Sequence, residues 1–135
     1  MAVVTLHDVP GNHIDLLSFA DVAANAATNY ILVWYVPFNC YVISVKIAFT
    51  DSITGTDTDS FNFNLDDNDR STELANKDYA SGTDAVAGTE VSLYAPTAPG
   101  KSLSTGNNLY LERELVGTNG LATPAGTLII TYTGR

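Results

Sequence analysis

A chain of 135 residues with 45% apolar content fits one domain whose core is large enough to fold without a disulfide or a metal. Fifteen acidic residues against six basic ones give a net charge of -9, and Lys46, Arg70, Lys77, Lys101, Arg113 and Arg135 stand singly, which argues against direct nucleic-acid binding and against an anionic membrane surface. Cys40 is the only cysteine, so no internal disulfide forms, in keeping with assembly in a reducing cytoplasm.

In chain order, residues 1–13 carry Val3, Val4 and Leu6 ahead of Pro10-Gly11 and read as a short strand or an extended N-terminal arm. They lack the basic start and long apolar centre of a signal peptide. Residues 14–135 read as a single domain. The stretch from Ile14 to Ala27 reads as a strand followed by a small-residue loop, in preference to a short helix, because its helical stripe is poor. Tyr30 to Val36 is apolar on both faces. It is either a central strand covered on both sides or a strand with one face, Ile31, Val33 and Tyr35, covered by another subunit. Trp34 joins these as an interface candidate, since amphipathic aromatics suit contacts between chains.

Period-two alternation dominates the rest. Tyr41, Ile43, Val45, Ile47 and Phe49 are expected on one face of a strand and Ser44, Lys46 and Thr50 on the other. Phe61, Phe63 and Leu65 alternate with Asn62, Asn64 and Asp66. Ser71 to Ala80 is polar and reads as a loop or one helical turn. Val91 and Leu93, then Leu109, Leu111 and Leu115 against Glu112 and Glu114, then Leu128, Ile130 and Tyr132 complete the pattern. Turn residues separate these runs, as in Thr54-Gly55-Thr56-Asp57 and Gly117-Thr118-Asn119-Gly120. The sum is an all-β chain: a two-sheet, jelly-roll-like sandwich of about eight antiparallel strands with an extended N-terminal segment.

Catalytic signatures are missing from the sequence, and the chain is not expected to be an enzyme. It holds no nucleophile elbow and no Gly-rich phosphate loop. His7 and His13 lack further ligands at metal-site spacing. Cys40 has no base beside it and reads as a small buried residue. Glu112 and Glu114 share a strand face, as a glycosidase pair does, but beside Arg113 they read as a solvated face. In the acidic run from Asp66, the residues Asp67, Asp69 and Glu73 offer oxygen ligands for calcium. The calcium-loop template wants Gly and Glu where Ser71 and Lys77 stand, so a solvated turn is the preferred reading and no cofactor is expected.

Several segments together resemble the small jelly-roll capsid cement (decoration) proteins of tailed bacteriophages with HK97-type shells. They are Ala20-Asp21-Val22, the apolar strand Tyr30 to Val36 ending in Pro37-Phe38, the amphipathic strand Val42 to Phe49, and the turn from Asp51 to Asp57. Ala95-Pro96-Thr97, Gly106-Asn107 and the last alternating strand also fit, so the resemblance spans about Ile14 to Tyr132. One departure is Asn39-Cys40, where a glycine commonly follows the Pro-Phe turn; Asn tolerates the left-handed backbone such a turn needs. The resemblance implies a homo-oligomer, trimer favoured over dimer, made in the bacterial host cytoplasm. It would bind the outer capsid surface of the virion and bridge neighbouring copies of the major capsid protein. A carbohydrate- or receptor-binding module of a phage tail or fibre is the alternative on the same fold.

Overall fold

A computed structural model describes residues 11–135. It contains nine strands: β1 (Asn12–Phe19), β2 (Asn29–Tyr35), β3 (Cys40–Phe49), β4 (Ser60–Asp66), β5 (Glu73–Asp78), β6 (Val91–Tyr94), β7 (Lys101–Leu103), β8 (Asn108–Val116) and β9 (Gly126–Gly134). One sheet has the order β1-β9-β3-β6, with β7 also paired to β3; the other has the order β2-β8-β4-β5. Every pairing is antiparallel.

The pairings nest: β1 with β9, β2 with β8, β3 with β6 and β7, β4 with β5. A long hairpin rolled into two layers gives this connectivity, which is the jelly roll. β6 and β7 occupy one position in the roll. β7 pairs with Cys40, Tyr41 and Val42, and β6 with Val45, Lys46 and Ile47. Pro96, Pro99 and Gly100 lie between them and remove the donors and the extended backbone that a continuous strand needs.

The inward faces of the two sheets make the core. Phe61 stacks on Tyr79 at 4.8 Å between centroids, and Phe49 on Phe63 at 5.8 Å, with Phe19 edge-on to Phe63 at 5.6 Å. Leu128, Ile130 and Tyr132 of β9 point inward, as do Leu109 and Leu111 of β8, in agreement with the alternation of the sequence.

Three expectations need correction. β3 does not keep one period. An extra residue at Ile43 shifts its register against β9, so Cys40 and Val42 are buried before it and Val45, Ile47 and Phe49 after it. Tyr41 therefore faces outward, because a bulge reverses the phase of a two-residue repeat. β2 has a similar register shift between Tyr30 and Leu32 and lies at the edge of its sheet, not at the centre. Finally, Glu73–Asp78 is a strand, although its composition is polar. It is an edge strand on β4, and an edge needs backbone pairing and only light apolar cover, which Leu74 and Ala75 supply.

The least expected interior residue is Arg113, fully buried and opposite Phe63 on β4. It continues the inward series of Leu109 and Leu111. Nε donates to Thr123 Oγ1 at 3.1 Å, Nη1 to the Ala26 carbonyl at 2.8 Å, and Nη2 to the carbonyls of Ala24 at 3.1 Å and Leu121 at 2.8 Å. The guanidinium carbon lies 5.6 Å from the Phe61 ring centroid. Arg113 thus ties the β1–β2 connection to the β8–β9 connection, which also meet at the Val22–Thr123 bridge. Gly120, at φ 63°, lets the second connection approach: a Cβ there would stand 2.2 Å from the Ala24 carbonyl oxygen.

Replacing Arg113 with Met keeps much of the volume but removes the donors of three part-buried carbonyls and a buried hydroxyl, each loss costing about 1 kcal/mol. The R113M variant is expected to lose at least about 3 kcal/mol in urea unfolding, and R113K to recover only part of it, because one ammonium cannot span the fork of acceptors.

Candidate functional site

The interface candidates of the sequence separate in the structure. Val3, Val4 and Leu6 lie outside the described residues, as does His7, which was weighed only as a metal ligand. Trp34, expected at an interface, lies in the core: it is only 2% exposed, and its indole Nε1 donates to Asp15 Oδ2 at 2.7 Å across the two sheets. Tyr132 Oη donates to the other oxygen of Asp15 at 2.9 Å, so the carboxylate is a structural clamp. The bulge at Ile31 sets the pattern of β2: Leu32 and Trp34 pair with the inward Leu111 and Leu109, while Val33 and Tyr35 face outward. Ile31 and Val33 are half-buried and Tyr35 is 72% exposed.

The calcium candidates do not converge. Asp69 accepts from the backbone N–H of Ser71 and Thr72, both at 2.9 Å, and from Thr72 Oγ1 at 2.7 Å. Asp67 pairs with Lys101 Nζ at 2.8 Å, and Glu73 is exposed on β5. Among the described residues no group of three or more His, Cys, Asp or Glu side chains could hold a metal ion. The oxygens that a cation would take are committed to closing the β4–β5 turn. That turn holds Arg70 at φ 58°, a strained setting for a residue with a Cβ.

Glu112 and Glu114 are not a simple solvated pair. Both accept from Asn64 Nδ2 at 3.0 Å, and Asn62 Nδ2 lies 3.4 Å from Glu114. Asn76 Nδ2 donates in turn to Asn64 Oδ1. An amide–carboxylate ladder therefore runs across the outer face of the β2-β8-β4-β5 sheet, and it buries Asn64 and Asp66. At one end Tyr30 and Tyr110 meet edge-on at 5.5 Å, and the Arg70 guanidinium lies 4.8 Å from the Tyr110 centroid and 5.8 Å from that of Tyr30. Tyr30 Oη is 3.2 Å from Asp66 Oδ2. Burial raises the Asp66 carboxyl above its ordinary value, and the charges of Glu112, Asp69 and Glu114 add to this, while the Tyr30 hydroxyl pulls it back.

The outer face of the other sheet has the opposite character. Ile14 and Leu16 of β1 are 62% and 68% exposed. They lie opposite Thr131 and Ile129 of β9, which in turn lie opposite Ser44 and Lys46 of β3. Lys46 Nζ lies 3.8 Å from Glu90. The sequence signal for this face was present, since Ile14 and Leu16 alternate with Asp15 and Leu17. It was obscured because the apolar residues fall on both sides of the strand, and the carboxylate, not Ile14 or Leu16, points inward.

A small cleft of about 200 Å³ is lined by Phe38, Asn39, Thr105 and Arg135. Next to it, His13 stacks against Tyr132 and meets Phe38 edge-on, both at 5.5 Å. Burial pushes the Cys40 thiol up to about 11. No helix among the described residues is long and apolar enough to cross a membrane.

No family model matches the sequence, and no curated protein matches it significantly. Among solved structures, the fold is similar to a chain of infectious bursal disease virus, Gx strain, with a TM-score of 0.45 and 8% sequence identity. The similarity covers 91% of this chain and 32% of that one, so this chain spans about a third of that chain's length.

The acidic ladder makes a pH-dependent prediction. A carboxyl raised by folding costs stability above its folded pKa, and the cost fades as pH falls through that value. Asn64→Asp replaces the shared donor with a third carboxylate 3.0 Å from two others. The variant is expected to lose about 2 kcal/mol or more at neutral pH and to regain stability relative to the parent as pH falls toward 5, read from urea melts across that range. Asp69 works in the other direction. Its hydrogen bonds from Ser71 and Thr72 hold it well below the usual carboxylate range, so its contribution is lost on acidification.

Cys40 is fully buried, and its raised pKa keeps it a thiol. It is expected not to react with a disulfide reagent at mildly alkaline pH in the folded chain, and to react fully in guanidinium.

Proposed function

We propose that the chain is a capsid cement protein: a structural virion protein that binds the outer surface of a tailed-phage head and bridges neighbouring major capsid subunits. The observation that carries this reading is the division of the jelly roll into two unlike outer faces. One is rich in threonine with exposed Ile14 and Leu16, its one outward cation, Lys46, paired with Glu90; the other is an ordered acidic ladder. A plate of this kind can make one contact with its own copies and a different one with a shell.

The segments on which the cement resemblance rests fall at joints of the roll. Val22 bridges to Thr123, Phe38 lies under Tyr132, and Ile53 bridges to Ala85. Bridging requires no titrating group. It needs a stiff body and contact area across junctions that internal pressure pulls apart, and the nested pairing of first and last strands supplies the stiffness. The assembly is a homo-oligomer, with a trimer favoured because threefold positions of a shell present three equivalent sites. Ile31, Val33 and Tyr35 are contact candidates toward the shell. Direct nucleic-acid and membrane contacts are not part of this reading.

A second reading draws on the ladder itself. Asn62, Asn64, Asn76, Glu112 and Glu114 with Tyr30 offer the donors and acceptors that bind sugar hydroxyls, as in a receptor-binding module.

Shells assembled from the accompanying major capsid protein, mixed with the purified chain, decide between the two. The cement reading expects saturable co-sedimentation at a fixed ratio per capsomer and a higher temperature of shell disruption. No co-sedimentation, together with a specific signal on a glycan array, would replace it with the second reading.

A further inference from the structure

We infer that Asn119-Gly120 is a self-modification site: the Gly120 nitrogen closes on the Asn119 side chain, Asp59 slows that closure, and its product loosens the Arg113 end of the sandwich. The inference stands apart from the proposed function and needs neither a shell nor a glycan.

The chemistry belongs to the dipeptide. The Gly120 backbone nitrogen loses its proton and bonds to Asn119 Cγ; the Cγ–Nδ2 bond breaks, and ammonia leaves. The result is a cyclic imide. Water then adds to one of its two carbonyl carbons and breaks that carbon's bond to the Gly120 nitrogen. Opening at Cγ leaves aspartate at position 119. Opening at the main-chain carbon leaves the backbone running through Cγ, longer by a methylene. Water is the only co-reactant.

Asn-Gly occurs once in the chain. A side chain on the following residue crowds the attacking nitrogen, and glycine has none. Asn119 is exposed and lies in the β8–β9 connection, outside any strand, so water reaches it.

The β3–β4 connection packs against this turn. Asp59 Oδ1 accepts from the Asn119 N–H at 3.0 Å, and a Cβ on Gly117 would stand 2.2 Å from the Thr58 carbonyl oxygen. The Asn119 N–H is the main cause that holds the Asp59 carboxyl below its ordinary value; the Asn119 side chain and the N–H groups of Gly120 and Thr118 add to it. One carboxylate therefore faces both the N–H that must be deprotonated and the amide that must depart. Its negative charge opposes loss of the Gly120 proton and opposes the charge that grows on the Asn119 oxygen during attack. A carboxyl held this low is also a poor base. Asp59 is a positioning residue that restrains the reaction.

The product does not fit. A Cβ on Gly120 would stand 2.2 Å from the Ala24 carbonyl oxygen and 2.4 Å from Leu115 Cδ1, so a lengthened backbone has no space there. The new carboxylate also stands beside Asp59. Leu121, the next residue, gives its carbonyl to Arg113 Nη2 at 2.8 Å, so a shift of this turn reaches the buried guanidinium.

The full chain, held for days at mildly alkaline pH, tests this by ammonia release and by the mass of the tryptic peptide Glu114–Arg135. The folded parent is expected to convert at Asn119, and Asn119→Gln to release no ammonia. Asp59→Asn is expected to convert about tenfold faster, the worth of a hydrogen bond to a charged group read as a rate. The free peptide Glu114–Arg135, which lacks Asp59, is expected to convert faster by a similar factor, a comparison that requires no variant to fold. Converted chain, separated by its added negative charge on anion exchange, is expected to melt about 3 °C or more below the parent. A folded parent that stays intact, or ammonia still released from Asn119→Gln, overturns the site. A rate unchanged in both Asp59→Asn and the free peptide overturns the role of Asp59. An unchanged melt of the converted chain overturns the link to Arg113.

Discussion

A guanidinium with no carboxylate partner among the described residues holds one end of this molecule together. Arg113 lies inside the sandwich and spreads its donors over three backbone carbonyls and one hydroxyl, drawn from the two connections that cross between the sheets at that end. Burial of a cation is expensive, and burial lowers its pKa, yet the fork of acceptors matches the fork of donors. The loops around residues 20–28 and 117–125 hold only two large apolar residues, Val22 and Leu121, of which Leu121 packs against the core. Arg113 adds a hydrogen-bonded anchor to that sparse apolar contact, and the two loops also meet at the Val22–Thr123 bridge. At the opposite edge of the same interior, Asp15 does the complementary work, accepting from Trp34 and Tyr132 and so linking β1 to β2. Each sheet thus sends one charge inward to fasten the other layer.

These two inward charges have a consequence at the surface. Because Asp15 is turned in, the outer face of its strand is left uncharged, with Ile14 and Leu16 at its centre. Because Arg113 is turned in, the outer face of β8 is left with Glu112 and Glu114 and no cation between them. The polar asymmetry of the two outer faces follows from which charges the core consumed. The acidic face is kept ordered by amides: Asn64 of β4 donates to both Glu112 and Glu114 of β8, and without it the two carboxylates would face each other without a shared donor. The two outer faces therefore differ in charge, and contact of the acidic face with another acidic surface is disfavoured.

Much of this was legible in the sequence where one rule applied at a time. Phe61, Phe63 and Leu65 point inward as alternation requires, and so do Leu128, Ile130 and Tyr132. Arg113 was legible too, two residues after Leu111 on the inward phase of β8, but a charged residue between two glutamates reads as surface unless the phase is trusted over the chemistry. The acidic stretch from Asp66 was legible as a turn. That its oxygens are spent on Ser71, Thr72 and Lys101 is decided by the folded turn and by β7, which brings Lys101 to Asp67.

The sequence by itself determined the class of fold: short alternating strands, regular turns and an apolar content sufficient for one core leave little else than a two-layer β structure. It also determined the acidity, and with it the kind of partner that is disfavoured. The tertiary structure alone decided which faces are which. A single inserted residue at Ile31 or Ile43 reverses every side chain beyond it, and nothing local in the chain marks the insertion, because the register is set by the partner strand. For the same reason Trp34 became core while its neighbour Tyr35 remained outside. The face that carries Ile14 and Leu16 emerged only when Asp15 found Trp34 and Tyr132, partners 19 and 117 residues away in sequence.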